Sequence, residues 1–151
     1  MHAKSILALV LSALVPYTLA APTNGLTVCP NSAGSLTVDS LSVTPQPLIA
    51  GKNVTITASG NVGEVITDGA KAVLTLSLGF IPVRREEVNI CQDSAAAGLP
   101  CPIPVGPNKI SFVRTVPDAV PAGTYQMRVD ATNADGKRIV CFNGPLTVAK
   151  A

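Results

Sequence analysis

From Leu36 onward the chain alternates apolar and polar residues in twos, with valine, isoleucine, leucine and threonine prominent and Gly, Pro and Asn at the interruptions. That period predicts strands over 36–43, 52–59, 72–80, 86–91, 109–116, 124–132 and 138–142, with the closing PLTVA as a last one. Breaks are expected at Pro45-Gln46-Pro47, at Gly60, at Asp68-Gly69, in the loop between Cys91 and Cys101, over 117–123 and at Ala134-Asp135-Gly136. In the last of these, Asp-Gly supplies the positive φ that a hairpin turn needs. Helix is expected for one turn at most, over 93–97, with Asp93 or Ser94 as its cap. Short strands at this spacing predict an all-β fold, sandwich or barrel.

The same alternation assigns faces, because successive strand side chains point to opposite sides. Val54, Ile56 and Ala58 share one face, opposite Asn53, Thr55 and Thr57. Leu74, Leu76, Leu78 and Phe80 form a second inward row, Ile110, Phe112 and Val116 a third, and Tyr125, Met127, Val129 and Ala131 a fourth. Arg114 shares the parity of Phe112, so it is expected near an edge or reaching solvent, since an unpaired buried charge is too costly. Periodicity alone favours a filled core, because apolar rows usually bury one another, but it does not separate a filled core from a lined cavity. Asn53-Val54-Thr55 is an N-glycosylation sequon, and parity turns Asn53 outward.

The first twenty residues change the chemistry available to the rest. A Lys4 n-region, an apolar run from Ile6 to Val15 and a small-residue end at Ala20 predict a secretory signal peptide over 1–20, followed by a short extension over 21–28 and a domain over 29–151. The apolar run is too short to span a bilayer and no later stretch is long and apolar enough, so the expected destination is an oxidising lumen or the outside of the cell. Disulfides persist in such compartments, and the four cysteines, Cys29, Cys91, Cys101 and Cys141, form an even set that permits three connectivities. Cys91 with Cys101 and Cys29 with Cys141 is the simplest pairing, a local staple plus a tie between the two ends of the domain. Zinc is disfavoured, because neither pair has the short spacing of a zinc site and histidine partners are missing.

Composition removes most other functions. The formal charge of +2 falls to +1 once Lys4 leaves, so no basic stripe invites nucleic acid. The single histidine, His2, lies in the predicted leader, which leaves no Ser/His/Asp or Cys/His arrangement and no imidazole metal ligand. Glu86 and Glu87 are adjacent and point to opposite faces of a strand, a poor geometry for a cooperating acid-base pair, and Glu64 and Asp68 flank a turn. With no phosphate-cradling glycine loop and no calcium loop, no catalytic residue, cofactor or metal is assigned, and a monomeric binding protein is expected rather than an enzyme.

Five segments carry a resemblance: DSLSVTPQPLIAGKNVTITASG (39–60), AKAVLTLSLGFIPV (70–83), LPCPIP (99–104), VPAGTYQMRVDAT (120–132) and IVC (139–141). Together, running from about Cys29 to Val148, they resemble the ML lipid-recognition domain family. Within that family they are similar to the fungal phosphatidylglycerol/phosphatidylinositol transfer proteins, themselves similar to the Niemann-Pick type C sterol carrier. The resemblance implies an immunoglobulin-like sandwich with an apolar cavity between two antiparallel sheets, and disulfides Cys29–Cys141 and Cys91–Cys101. It also implies carriage of phospholipid or sterol with transient contact at membrane surfaces. The lining residues expected on this basis are Val54, Ile56, Leu74, Leu76, Leu78, Phe80, Phe112, Tyr125, Met127 and Val129. Phe80, Ile81 and Pro82 are candidates for the mouth, and Arg84 and Arg85 for an anionic head group or membrane surface. The alternative is an immunoglobulin-like structural or interaction module with a closed core and no lipid cargo.

Overall fold

A computed structural model describes residues 25–151; the predicted signal peptide lies outside the described residues. Among the described residues, nine strands and one short helix follow in order: β1 Thr27–Val28, β2 Leu36–Thr44, β3 Leu48–Ile49, β4 Asn53–Val62, β5 Lys71–Leu78, β6 Ile81–Asn89, α1 Ile90–Ala96, β7 Gly106–Thr115, β8 Gly123–Thr132 and β9 Arg138–Ala149. They form two sheets. The larger has the order β1-β9-β8-β5-β6, with β3 added in parallel to β9, and the smaller has the order β2-β4-β7. All other pairings are antiparallel, as expected of an immunoglobulin-like sandwich.

Four local expectations are corrected. Gly60 does not break a strand: it lies buried inside β4, opposite Val38, where β2 carries one extra residue between Val38 and Ser40. A Cβ at Gly60 would come within 2.4 Å of the Thr37 carbonyl oxygen, so the glycine allows the bulged strand to approach. The helix starts earlier than read, because Asn89, not Asp93 or Ser94, caps it by accepting from the Gln92 N–H at 3.1 Å. Leu26 is 1% exposed and β1 pairs with β9, so part of the stretch read as an extension belongs to the fold. Finally, β5 ends at Leu78 and turns through Gly79-Phe80 directly into β6, with Leu78 paired to Ile81. Gly79 has φ +63°, which suits the first central position of a two-residue hairpin.

Two apolar clusters join the sheets. One gathers Leu41, Val43, Leu48, Val54, Leu76, Val116, Tyr125, Leu146 and Val148, with Leu26 beside them. The other gathers Val62, Ile66, Ala70, Cys91, Ile103, Ala131, Ile139 and Val140. The Tyr125 hydroxyl donates to the Pro121 carbonyl at 2.7 Å, which locks the ring in the first cluster and gives the Pro-x-Gly-x-Tyr stretch a structural purpose. At the other cluster, Asn133 is buried as a hub. Its Oδ1 accepts from the Thr67 N–H, the Thr67 hydroxyl and the Ala134 N–H, while its Nδ2 donates to the Val65 carbonyl. The hub satisfies the polar groups of two loops that would otherwise be stranded.

Cys29 bonds Cys141 across 112 residues of sequence, and Cys91 bonds Cys101 across 10. On the chain-entropy argument the long tie contributes about 5 kcal/mol and the short one about 3 kcal/mol. Chemical denaturation of a Cys29→Ser/Cys141→Ser variant is therefore expected to show the larger loss, and a Cys91→Ser/Cys101→Ser variant the smaller. The reverse order would contradict this account.

Candidate functional site

Registers fix which side chains look into the space between the sheets. On the large sheet, Ala72, Leu74 and Leu76 of β5 lie beside Ala131, Val129 and Met127 of β8, and Val129 lies beside Phe142 of β9. On the small sheet, Val54, Ile56 and Ala58 of β4 lie beside Arg114, Phe112 and Ile110 of β7. The inward rows read from alternation therefore share faces across strands, apart from the end of the β5 row.

Their burial differs along the strands. Val54, Leu76 and Tyr125 are buried within the first cluster. Ile56 and Met127 are partly buried against it. Leu74, Val129, Phe112 and Ile110 are half-buried and belong to neither cluster. Apolar side chains at the middle of paired, inward-facing strands are normally the most enclosed in a sandwich. Here the enclosed ones sit at the two ends, and the stretch between them stays accessible. The middle of these facing strands is thus less enclosed than their two ends.

Strand β6 is the edge of the large sheet and β7 the edge of the small one, and α1 touches both as well as β5. Residues 90–105 form the crossover from one edge to the other. The Cys91–Cys101 disulfide pinches this crossover, and mutual backbone hydrogen bonds between Ile66 and Ile103 at 2.9 and 3.1 Å anchor its far side. An Arg114–Asp93 ion pair adds a link from β7 to the helix, and the Arg114 guanidinium lies 5.9 Å from the centroid of the Phe112 ring. Arg114 is thus an exposed, paired edge residue, as its parity required.

At the opposite end of β6 lies a cleft of about 270 Å³, lined by Leu76, Leu78, Val83, Arg84, Tyr125 and the loop 119–122. Leu78 is half-exposed at its mouth. Arg84 shares the inward face with Leu76, its partner across the pair, and meets Glu86 at 3.2 Å. Sequence reasoning named Arg84 without knowing its face, because the register of β6 depends on a bulge between Leu76 and Ser77. It missed Phe142 and Val120, which pack partly buried on the first cluster; period-two alternation from Val140 was a usable signal for Phe142. On the outer face, the Arg128 pKa is raised by its hydrogen bond to Asp130 and then by the charge of that carboxylate, so its charge is permanent and away from the slot.

Phe80 is the expected lining residue that the structure removes. It is fully exposed, because a two-residue turn leaves its side chain no surface to fold back on. The hairpin tip and the disulfide are also not neighbours: the nine residues of β6 lie between them, roughly 30 Å at strand rise. The staple lies at the other end of β6. Asn53 is exposed on the outer face and accepts from the Thr115 hydroxyl at 2.9 Å. Asp68 lies beside Cys91 and Cys101, but both sulfurs are spent in the disulfide and offer no thiolate to a metal.

The family profile described as ML domain matches residues 24–148. The chain belongs to the ML domain family. A phosphatidylglycerol/phosphatidylinositol transfer protein of Aspergillus oryzae is 33% identical over 132 residues, covering 81% of this chain and 74% of that protein. A protein of the same name from Candida albicans is 31% identical over 139 residues, covering 89% and 72% respectively. Among solved structures, a Niemann-Pick type C2 protein from the Japanese carpenter ant superposes with a TM-score of 0.67 at 14% identity, covering 82% of this chain and 99% of that one. Chicken MD-1 complexed with lipid IVa gives 0.53 at 15% identity, covering 81% and 87%. Both support the ML-type sandwich fold.

If the middle of the sandwich is a slot, it has room to spare. Val129→Phe is expected to change stability by less than about 1 kcal/mol, whereas Leu146→Phe, buried in the first cluster and away from the cleft, should cost about 1–3 kcal/mol. Denaturation midpoints of the two variants decide it, and an equal loss at both sites would mean a uniformly packed interior.

Proposed function

We propose that this chain is a lipid carrier of a secretory or luminal compartment, taking phosphatidylglycerol, phosphatidylinositol or a sterol from one membrane and delivering it to another as a monomer. The observation that carries this reading is the band of half-buried apolar side chains, Leu74, Val129, Ile110 and Phe112, between two closed clusters. Removing an acyl chain of roughly sixteen carbons from a bilayer forfeits about 12 kcal/mol of apolar contact. Only an apolar slot returns an equivalent amount. Exchange down a gradient needs no nucleophile, metal or nucleotide, which is in keeping with a chain whose only histidine is His2. The names of the relatives support the same reading. An interaction module with a closed core has no use for an accessible apolar band at its centre.

Arg84 is the cationic residue lining the cleft, and its partner Glu86 is about half exposed. Exposed pairs of this kind hold weakly, so a lipid phosphate can displace the glutamate at little cost. The disulfides favour an oxidising compartment. Asn53, outward on β4, is the site we assign to an N-linked glycan, clear of the slot.

Lipid extracted from the purified protein and identified by mass spectrometry tests the proposal. One bound phospholipid or sterol, with transfer of a labelled lipid between vesicles, is expected; no bound lipid and no transfer would end it. Arg84→Gln should lower the preference for anionic over zwitterionic phospholipid severalfold, about 1 kcal/mol of a charge-assisted contact. Lys109→Gln, on the outer face of β7, should leave that preference unchanged.

A further inference from the structure

The hairpin between β5 and β6 exposes more apolar surface than its position in the fold requires. Phe80 is fully exposed, Ile81 70%, Val83 51% and Leu78 50%, all within six residues of one turn. Leaving one large side chain in water is ordinary; a contiguous group at a protruding tip marks an interaction site. The residues after the tip are ordered by chemistry. The apolar group at 78–83 is followed by Arg84 and Arg85, and these by Glu86 and Glu87, along a single extended strand. At strand rise the arginines stand roughly 10–15 Å behind the tip, and the glutamates farther back.

We propose that this hairpin is a membrane-docking element that inserts Phe80 and Ile81 among the acyl chains of an anionic bilayer, with Arg84 and Arg85 at the depth of the lipid phosphates. Apolar, then cationic, then anionic is the order met on passing from a bilayer's interior through its phosphates to water, and it is the order along β6. Aromatic and apolar side chains settle at the membrane interface, and nearby basic residues draw the protein to anionic lipid. Glu86 and Glu87 stay clear of the negative surface: Glu86 pairs with Arg84, and Glu87 pairs with Lys71 of β5. A narrow two-residue turn also presents little flat area, which suits insertion into a fluid layer better than docking on a protein.

The proposal reaches further if the carrier reading holds, on which its consequence rests. Leu78 and Val83 belong both to the exposed tip and to the lining of the cleft. Docking would therefore set the mouth of the cleft against the bilayer, and a lipid would move between them without crossing water.

The chain contains no tryptophan, so Phe80→Trp gives a single fluorescent reporter at the hairpin tip. Vesicles of phosphatidylcholine with a minority of phosphatidylglycerol should shift the emission of this tip reporter to the blue. Brominated acyl chains should quench it, and both effects should weaken with added salt or with pure phosphatidylcholine. A second reporter, Val113→Trp, exposed on the outer face of the small sheet, should respond to neither. Phe80→Asp should reduce vesicle binding about tenfold, yet leave the amount of lipid bound per protein unchanged. The proposal is overturned if the tip reporter remains in water when the protein meets anionic vesicles, or if the small-sheet reporter is the one quenched. It is equally overturned if sedimentation shows that the tip joins two copies and that Phe80→Asp separates them. Loss of bound lipid with vesicle docking intact would count against the carrier reading and leave the docking surface standing.

Discussion

Three strands cannot cover a sheet of six, five of them side by side in one path. The small sheet has only β2, β4 and β7, and β6, at the edge of the large one, is exposed along almost its whole length. Covered elements form two clusters at the ends of the sandwich; the uncovered edge leaves the apolar middle open between them. A protein that carried the same inner rows under a matched second sheet would bury them against one another and have nothing to offer a lipid. On the carrier reading, the space for a lipid follows from strand count and register before any individual side chain is considered.

An open sandwich has to be held open at a fixed gap, and the covalent and polar features act where that gap is set. The Cys29–Cys141 tie fastens the start of the domain to its last strand. The Cys91–Cys101 bond constrains the crossover from β6 to β7, the one segment that joins the two edges flanking the opening. Asn133 knits the loop at 65–67 to the β8–β9 turn near the same end. At the other end, the Tyr125 hydroxyl fixes the loop before β8 that forms one wall of the cleft. Rigid ends and an accessible middle are what a carrier needs, because cargo must come and go without the sheets collapsing or parting.

Most of the architecture was legible because period-two alternation is a strong local signal, and β2, β4, β7 and β8 fall within a few residues of the spans it predicts. The failures share a cause. Gly60 looks like a break, yet its role depends on a bulge in β2 that only the pairing reveals. Phe80 has inward parity for as long as β5 continues, and a single Gly-x turn ends the strand two residues sooner. The Gly-Phe step between LSL and IPV was available as a hairpin signal, but it competed with an unbroken apolar run. The hairpin tip and the disulfide loop are also close in sequence, yet a full strand separates them in space. Which inward residues are enclosed and which line the slot was not readable at all, since that depends on how one sheet overlaps the other.

The central claim is that an acyl chain or sterol lies between the sheets, against the side chains that neither cluster claims. Intermolecular nuclear Overhauser effects between an isotope-labelled lipid and methyl-labelled protein report this directly. Cross-peaks are predicted from the apolar part of the lipid to the methyl groups of Leu74, Val129 and Ile110, with none to the outward Val73. Cross-peaks confined to the hairpin tip, or none between the sheets in a lipid-saturated sample, would contradict it.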